Sequence, residues 1–139
     1  MCEDLYLHLE WRQTNCPMAI LNDKSLRILN LGLLYIHGRC KDGSPIVIFD
    51  MGRLVGVLKD KTNKLEEGVL GQVYNFMCGY IQRNMLVKGQ VEKWMVVINI
   101  NKFSLSDLPM GQFKALNEEF RNNYIDSVNK NVIVNMTSA

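Results

Sequence analysis

The run VEKWMVVINI, residues 91–100, decides how the rest of the chain is read. From Trp94 to Ile100 it is almost continuously apolar yet only seven residues long, too short for a buried helix. It fits a strand covered on both faces, as in a parallel sheet, and is expected to be the central strand. Upstream, residues 65–86 (LEEGVLGQVYNFMCGYIQRNML) place apolar groups at 69, 70, 73, 74, 77, 80, 81 and 85, a helical repeat lasting more than four turns. Downstream, Ser106-Asp107-Leu108-Pro109 combines a capping side chain with a proline suited to a first helical turn. The helix it opens has Phe113, Leu116 and Phe120 on one face and is expected to end near Tyr124. Then NKNVIVNM holds Val132, Ile133 and Val134 in a row, a second buried strand near 131–135. Strand, helix, strand at this spacing is a right-handed crossover unit.

Toward the N-terminus, LLYIHGRCKDGSPIVIFDMG reads as two strand-forming runs, Leu34–His37 and Ile46–Asp50, joined around Asp42-Gly43. That pair favours a tight reversal, so a hairpin is expected. Residues 3–13 suggest a short helix with Leu5, Leu9 and Arg12 on one face, ending about Thr14 before Pro17. DKSLRILN, residues 23–30, offers Asp23 as a cap and Leu26 and Leu29 as an apolar face. Lys59–Lys64 reads as a solvated loop. The fold class that follows is α/β: a mostly parallel sheet from strands near 46–50, 95–100 and 131–135, an antiparallel hairpin strand at 34–37, and packed helices.

With 139 residues, 47% of them hydrophobic, the chain suits one core rather than two. A formal charge of +2 gives no basic footprint, and no nucleic-acid partner is expected. Cys2, Cys16, Cys40 and Cys78 form no CxxC pair, so neither a zinc site nor a disulfide framework is indicated. The start MCEDLYLHLEWRQ does not resemble a signal peptide, and no stretch is apolar enough to span a bilayer; a soluble, cytoplasmic protein is expected. The sequon Asn135-Met136-Thr137 is accordingly read as a chance triplet. His8 and His37 lack partners at metal-site spacing, no GxSxG elbow occurs, and Gly68 and Gly71 have no Lys-Ser or Lys-Thr after them. No metal, no cofactor and no enzymatic activity are expected. Trp94 and Trp11 read as anchors between layers.

Four stretches in order carry a resemblance: HLEWRQTNCP at 8–17, YIHGRCKDGSPIVIF at 35–49, VEKWMVVINI at 91–100 followed by FSLSDLP at 103–109, and NNYIDSVNKNVIVNM at 122–136. Together they resemble the successive signatures of the CRAL-TRIO lipid-binding family, which includes secretory-pathway phosphatidylinositol and phosphatidylcholine transfer proteins and the carriers of tocopherol and retinaldehyde. The chain departs from the family pattern at Cys40, Ser44, Ile125, Asp126 and Ser127. The resemblance implies that residues 1–30 are the end of an N-terminal helical region and 31–139 the lipid-binding domain, stopping before the gating helix and last strand.

It also implies a carrier that holds one phospholipid, or another hydrophobic ligand, in an apolar pocket and visits membrane surfaces transiently; phosphatidylinositol is one candidate. Exposing a lipid chain costs about 0.8 kcal/mol per methylene, so the cavity has to be nearly as apolar as a bilayer. The pocket-lining candidates are Ile46, Ile48, Val96, Ile98, Val132 and Val134 from strands, with Val73, Met77, Ile81 and Met85 from the long helix. Headgroup candidates are Asp126, whose carboxylate accepts hydrogen bonds, and Tyr124 through its hydroxyl. The alternatives are a degenerate domain that docks a protein such as a small GTPase or scaffold, and a swapped homodimer that completes the pocket.

Overall fold

The computed structural model describes residues 2–15, 21–60, 66, 68–101, 111, 114, 118, 121–124 and 126–136. Helices α1 (Cys2–Asn15) and α2 (Asp23–Asn30) precede the hairpin β1 (Leu34–Arg39) and β2 (Pro45–Asp50). Then come α3 (Met51–Lys59), α4 (Val69–Asn84), β3 (Trp94–Asn99) and β4 (Val128–Val134). Residues 111, 114, 118 and 121–123 are helical. Phe113, Leu116 and Phe120, the predicted face of that helix, lie outside the described residues, as does most of the Lys59–Lys64 loop.

The strands form one sheet in the order β1-β2-β3-β4. β1 runs antiparallel to β2, while β2, β3 and β4 are mutually parallel, so the fold is α/β with a mixed sheet and β3 is interior, as expected. The hairpin turns on Asp42-Gly43: Gly43 takes φ +83°, and Asp42 Oδ1 accepts from the Ser44 amide at 2.9 Å.

Side-chain parity sorts the sheet into two faces. On one, Leu34, Ile36, Val47, Phe49, Trp94, Val96 and Ile98 join Ile28 of α2, Met51 and Leu54 of α3, and Val69, Val73, Tyr74, Met77, Cys78 and Ile81 of α4 in or against the core. Helices α3 and α4, which connect β2 to β3, therefore lie on this face. Tyr124, four residues before β4, packs on the same side, against Trp94 and Tyr74 of α4.

Several local readings change. Asn22, not Asp23, caps α2: its side chain accepts from the Ser25 amide. The buried side chains of α2 are Ser25 and Ile28, and Leu26 is 44% exposed, because the helix turns the 25/28 stripe to α4. Leu5 and Leu9 are likewise left largely exposed on α1, at 59% and 52%, while His8 and Trp11 are half-buried. The α4 helix starts at Val69, after Gly68 in the left-handed region, rather than at 65. α3 was not anticipated at all. No described helix is long and apolar enough to cross a membrane.

Candidate ligand-binding face

The second face of the sheet is built by the alternate residues of the same strands. Ile48 is in register with Val97, and Val97 with Val132; Ile46 is in register with Met95. Val134 is opposite Asn99. These six apolar side chains, Ile46, Ile48, Met95, Val97, Val132 and Val134, are each half-buried and stand outside the core. They make a continuous oily floor across three strands, bordered on β1 by Tyr35, which is opposite Ile48 and 40% exposed. Lys130, in register with Met95, places an exposed cation at the strands' N-terminal end.

The other end of this floor is polar. Asn99 Nδ2 donates to Asp50 Oδ2 at 3.3 Å, and Asn99 Oδ1 accepts from Asn135 Nδ2 at 2.8 Å and from the Asn101 amide at 3.2 Å. Asp50 Oδ1 in turn caps α3 through the Arg53 amide at 3.0 Å. Asn135 reaches this position from a left-handed backbone, φ +60°. Three parallel strands therefore end in one hydrogen-bonded row of Asp50, Asn99 and Asn135. Asn135 Nδ2, the atom that a sequon would glycosylate, is a donor in that row.

The ten predicted pocket residues divide between the two faces. Ile46, Ile48, Val132 and Val134 are brought together on the floor. Val96 and Ile98 point the other way, and Val73, Met77 and Ile81 are 0–4% exposed between α4 and the sheet. Met85, just past the end of α4, packs half-buried against that core. The space between α4 and the sheet is filled: the cavity there has a volume of about 40 Å³, enclosed by Ile28, Leu34, Phe49, Leu70, Val73, Tyr74 and Val96. A space of that size is on the scale of a few water molecules and holds no acyl chain.

Val97 was missed although the sequence carried the signal, and Met95 suits an apolar cavity as an unbranched, polarizable side chain but was not assigned to a face. Once Trp94 is taken as a core anchor, period-two alternation sends Val96 and Ile98 with it and turns Met95 and Val97 to the opposite face. Reading the run as uniformly buried hid that parity.

The two headgroup candidates also part company. Tyr124 is 5% exposed, its hydroxyl donates to Asn75 Oδ1 at 2.9 Å, and its ring lies on the helix side of the sheet. Asp126 is exposed and ion-paired to Lys93 Nζ at 2.7 Å, with φ +62°. Tyr74 is held far above the ordinary phenol range, first by burial and then by Cys78 beside it, so it stays neutral. Among the described residues no three His, Cys, Asp or Glu side chains gather as a metal site would require. A family model described as CRAL/TRIO domain matches residues 29–139. No curated protein matches the chain.

Proposed function

The chain belongs to the CRAL/TRIO domain family, whose domain takes lipophilic ligands, and we propose that it holds one phospholipid on the floor of Ile46, Ile48, Met95, Val97, Val132 and Val134 and exchanges it with membranes. What carries the reading is that six apolar side chains from three strands share one face without joining the core. In water such a surface is costly, at about 25 cal/mol per Å² of apolar area, and an acyl chain laid across it removes that cost. The space between α4 and the sheet cannot serve, because it is packed.

Asp126, just before β4, with Lys130 four residues further on, is the headgroup region in this reading. A cation and a carboxylate suit a phosphodiester bearing hydroxyls, which is where phosphatidylinositol enters. Tyr124 has no part in it, its hydroxyl being committed to Asn75. Val73, Met77, Ile81, Val96, Ile98 and Met85 support the floor from behind.

Two measurements test this. The purified chain is incubated with phosphatidylcholine vesicles, with and without phosphatidylinositol, then examined by native mass spectrometry and by a vesicle-to-vesicle transfer assay. One lipid per chain is expected. Ile48→Asn with Val97→Asn should reduce bound lipid by about tenfold or more, since two apolar contacts are replaced by amides that lose hydration on burial. Leu26→Asn, on the outer side of α2, should leave it unchanged. Absence of bound lipid and of transfer from the folded wild-type chain would overturn the proposal and favour protein docking at the same face.

A further inference from the structure

On the helix side, remote from the proposed lipid floor, α1 does not close down on the body of the protein. Between them runs a groove of about 860 Å³ lined by Leu5, Leu7, His8, Trp11, Arg12, Gln82, Asn122, Asn123 and Ser127. Its volume falls in the range of small-molecule sites. An aromatic contact holds α1 over it: Trp11, stacked on His8 of the same helix at 6.3 Å, meets Tyr124 edge-on at 5.8 Å. Leu5 and Leu7, at the groove wall, are left 59% and 57% exposed.

The chemistry of the lining selects a ligand. It presents the Arg12 guanidinium, the carboxamides of Gln82 and Asn122 and the Ser127 hydroxyl, and among the described residues that line it there is no carboxylate. Arg12 gives one donor to Gln82 Oε1 at 3.4 Å, and a guanidinium carries five N–H groups in a fork that matches an oxyanion. The same wall presents two leucines and an indole that water solvates poorly. We propose that this groove binds a small amphiphile whose carboxylate or phosphate pairs with Arg12 while its apolar body covers Leu5, Leu7 and Trp11. The inference does not depend on lipid transfer, because the groove and the floor lie on opposite sides of the sheet.

The chain has two tryptophans, one in the groove and one fully buried on β3, so the indole N–H signals of the ¹⁵N-labelled full chain report the site directly. Decanoate, decyl phosphate and inorganic phosphate are titrated separately. Both amphiphiles should shift the Trp11 indole and leave Trp94 in place; which of the two binds more tightly identifies the oxyanion. Inorganic phosphate should bind at least about tenfold more weakly than decyl phosphate. Arg12→Gln should weaken the amphiphiles by about tenfold, Arg12→Lys by less, and Leu7→Ser by several-fold, with the fold checked by far-UV circular dichroism. Ile48→Asn with Val97→Asn should not change these affinities. The proposal is overturned if neither amphiphile moves Trp11, if Arg12→Gln and Leu7→Ser both leave affinity within twofold, or if inorganic phosphate binds as tightly as decyl phosphate.

Discussion

The Tyr124 hydroxyl donates to Asn75 Oδ1 across 2.9 Å, tying the segment that leads into β4 to the middle of α4. Around that bond the Tyr124 ring makes edge contacts with Trp11, Tyr74 and Trp94 at 5.7–6.3 Å. One side chain therefore joins α1, α4 and β3 at the back of the sheet. Tyr124→Phe is expected to cost about 1 kcal/mol, the net worth of one hydrogen bond, and Tyr124→Ala about 3–5 kcal/mol. Urea denaturation measures both. Bound lipid per folded chain should be unchanged in Tyr124→Phe, since the hydroxyl faces away from the proposed floor.

Two glycines of α3 separate backbone propensity from packing. A Cβ built on Gly52 would meet the Asn101 carbonyl oxygen at 2.1 Å, whereas one on Gly56 meets nothing within 4 Å. Propensity alone favours alanine at both by about 1 kcal/mol. At Gly56 that gain should be realised, raising stability by about 0.5–1 kcal/mol. At Gly52 the loop after β3 has to move, so Gly52→Ala is expected to destabilise by about 1–3 kcal/mol. Thermal unfolding of the two variants gives opposite signs of ΔTm; a rise for both would show that the approach of Asn101 to α3 is loose.

The same glycines explain why α3 escaped the sequence reading. Met51–Lys59 carries two glycines in nine residues, which lowers the local helix signal, and tertiary burial of Met51, Leu54 and Val55 supplies the missing stability. Longer elements were legible because their periodicity is strong: α4, the hairpin about Asp42-Gly43, and β3 flanked by parallel neighbours all follow from spacing. The site was legible as apolar strand residues but not as a face. Deciding which of Val96 and Val97 points to the core needs one fixed residue, and Trp94 was that residue. The groove beneath α1 had no sequence signal, since its lining comes from positions up to 122 residues apart in number, from Leu5 to Ser127.

Acid should loosen the hairpin through Asp42. Its carboxylate accepts from the Ser44 amide at 2.9 Å, and that backbone bond, with the Ser44 side chain, holds its pKa below the ordinary value. A depressed folded pKa means that the contribution is fully present above the unfolded value, near pH 4, and is lost as pH falls through the folded one. Asp42→Asn keeps an acceptor but does not titrate. Hairpin amide exchange, followed from pH 6 to pH 2, should accelerate on acidification relative to the rest of the sheet in the wild type and not in Asp42→Asn. Parallel curves for the two proteins would remove Asp42 as the cause.

At the other end of the sheet, Asn99 works because it is an amide and not an acid. Its nitrogen donates to Asp50 Oδ2 at 3.3 Å while its oxygen accepts from Asn135 and the Asn101 amide. Asn99→Asp keeps both accepting contacts but replaces the donor with a second carboxylate oxygen facing Asp50, whose side chain is only 18% exposed. Two carboxylates at that distance do not both ionise freely, so the pair's folded pKa rises above the unfolded values. A raised carboxylate pKa means that the folded state binds the extra proton first, so stability is lost as pH rises. Asn99→Asp should therefore cost about 1–3 kcal/mol at pH 7 and regain most of it near pH 4, while Asn99→Ala, which removes the link without adding charge, should show no such pH dependence. Urea midpoints at pH 4, 5.5 and 7 measure this. If Asn99→Asp is equally stable at all three, the row joining Asp50, Asn99 and Asn135 is not what holds the parallel strand ends together.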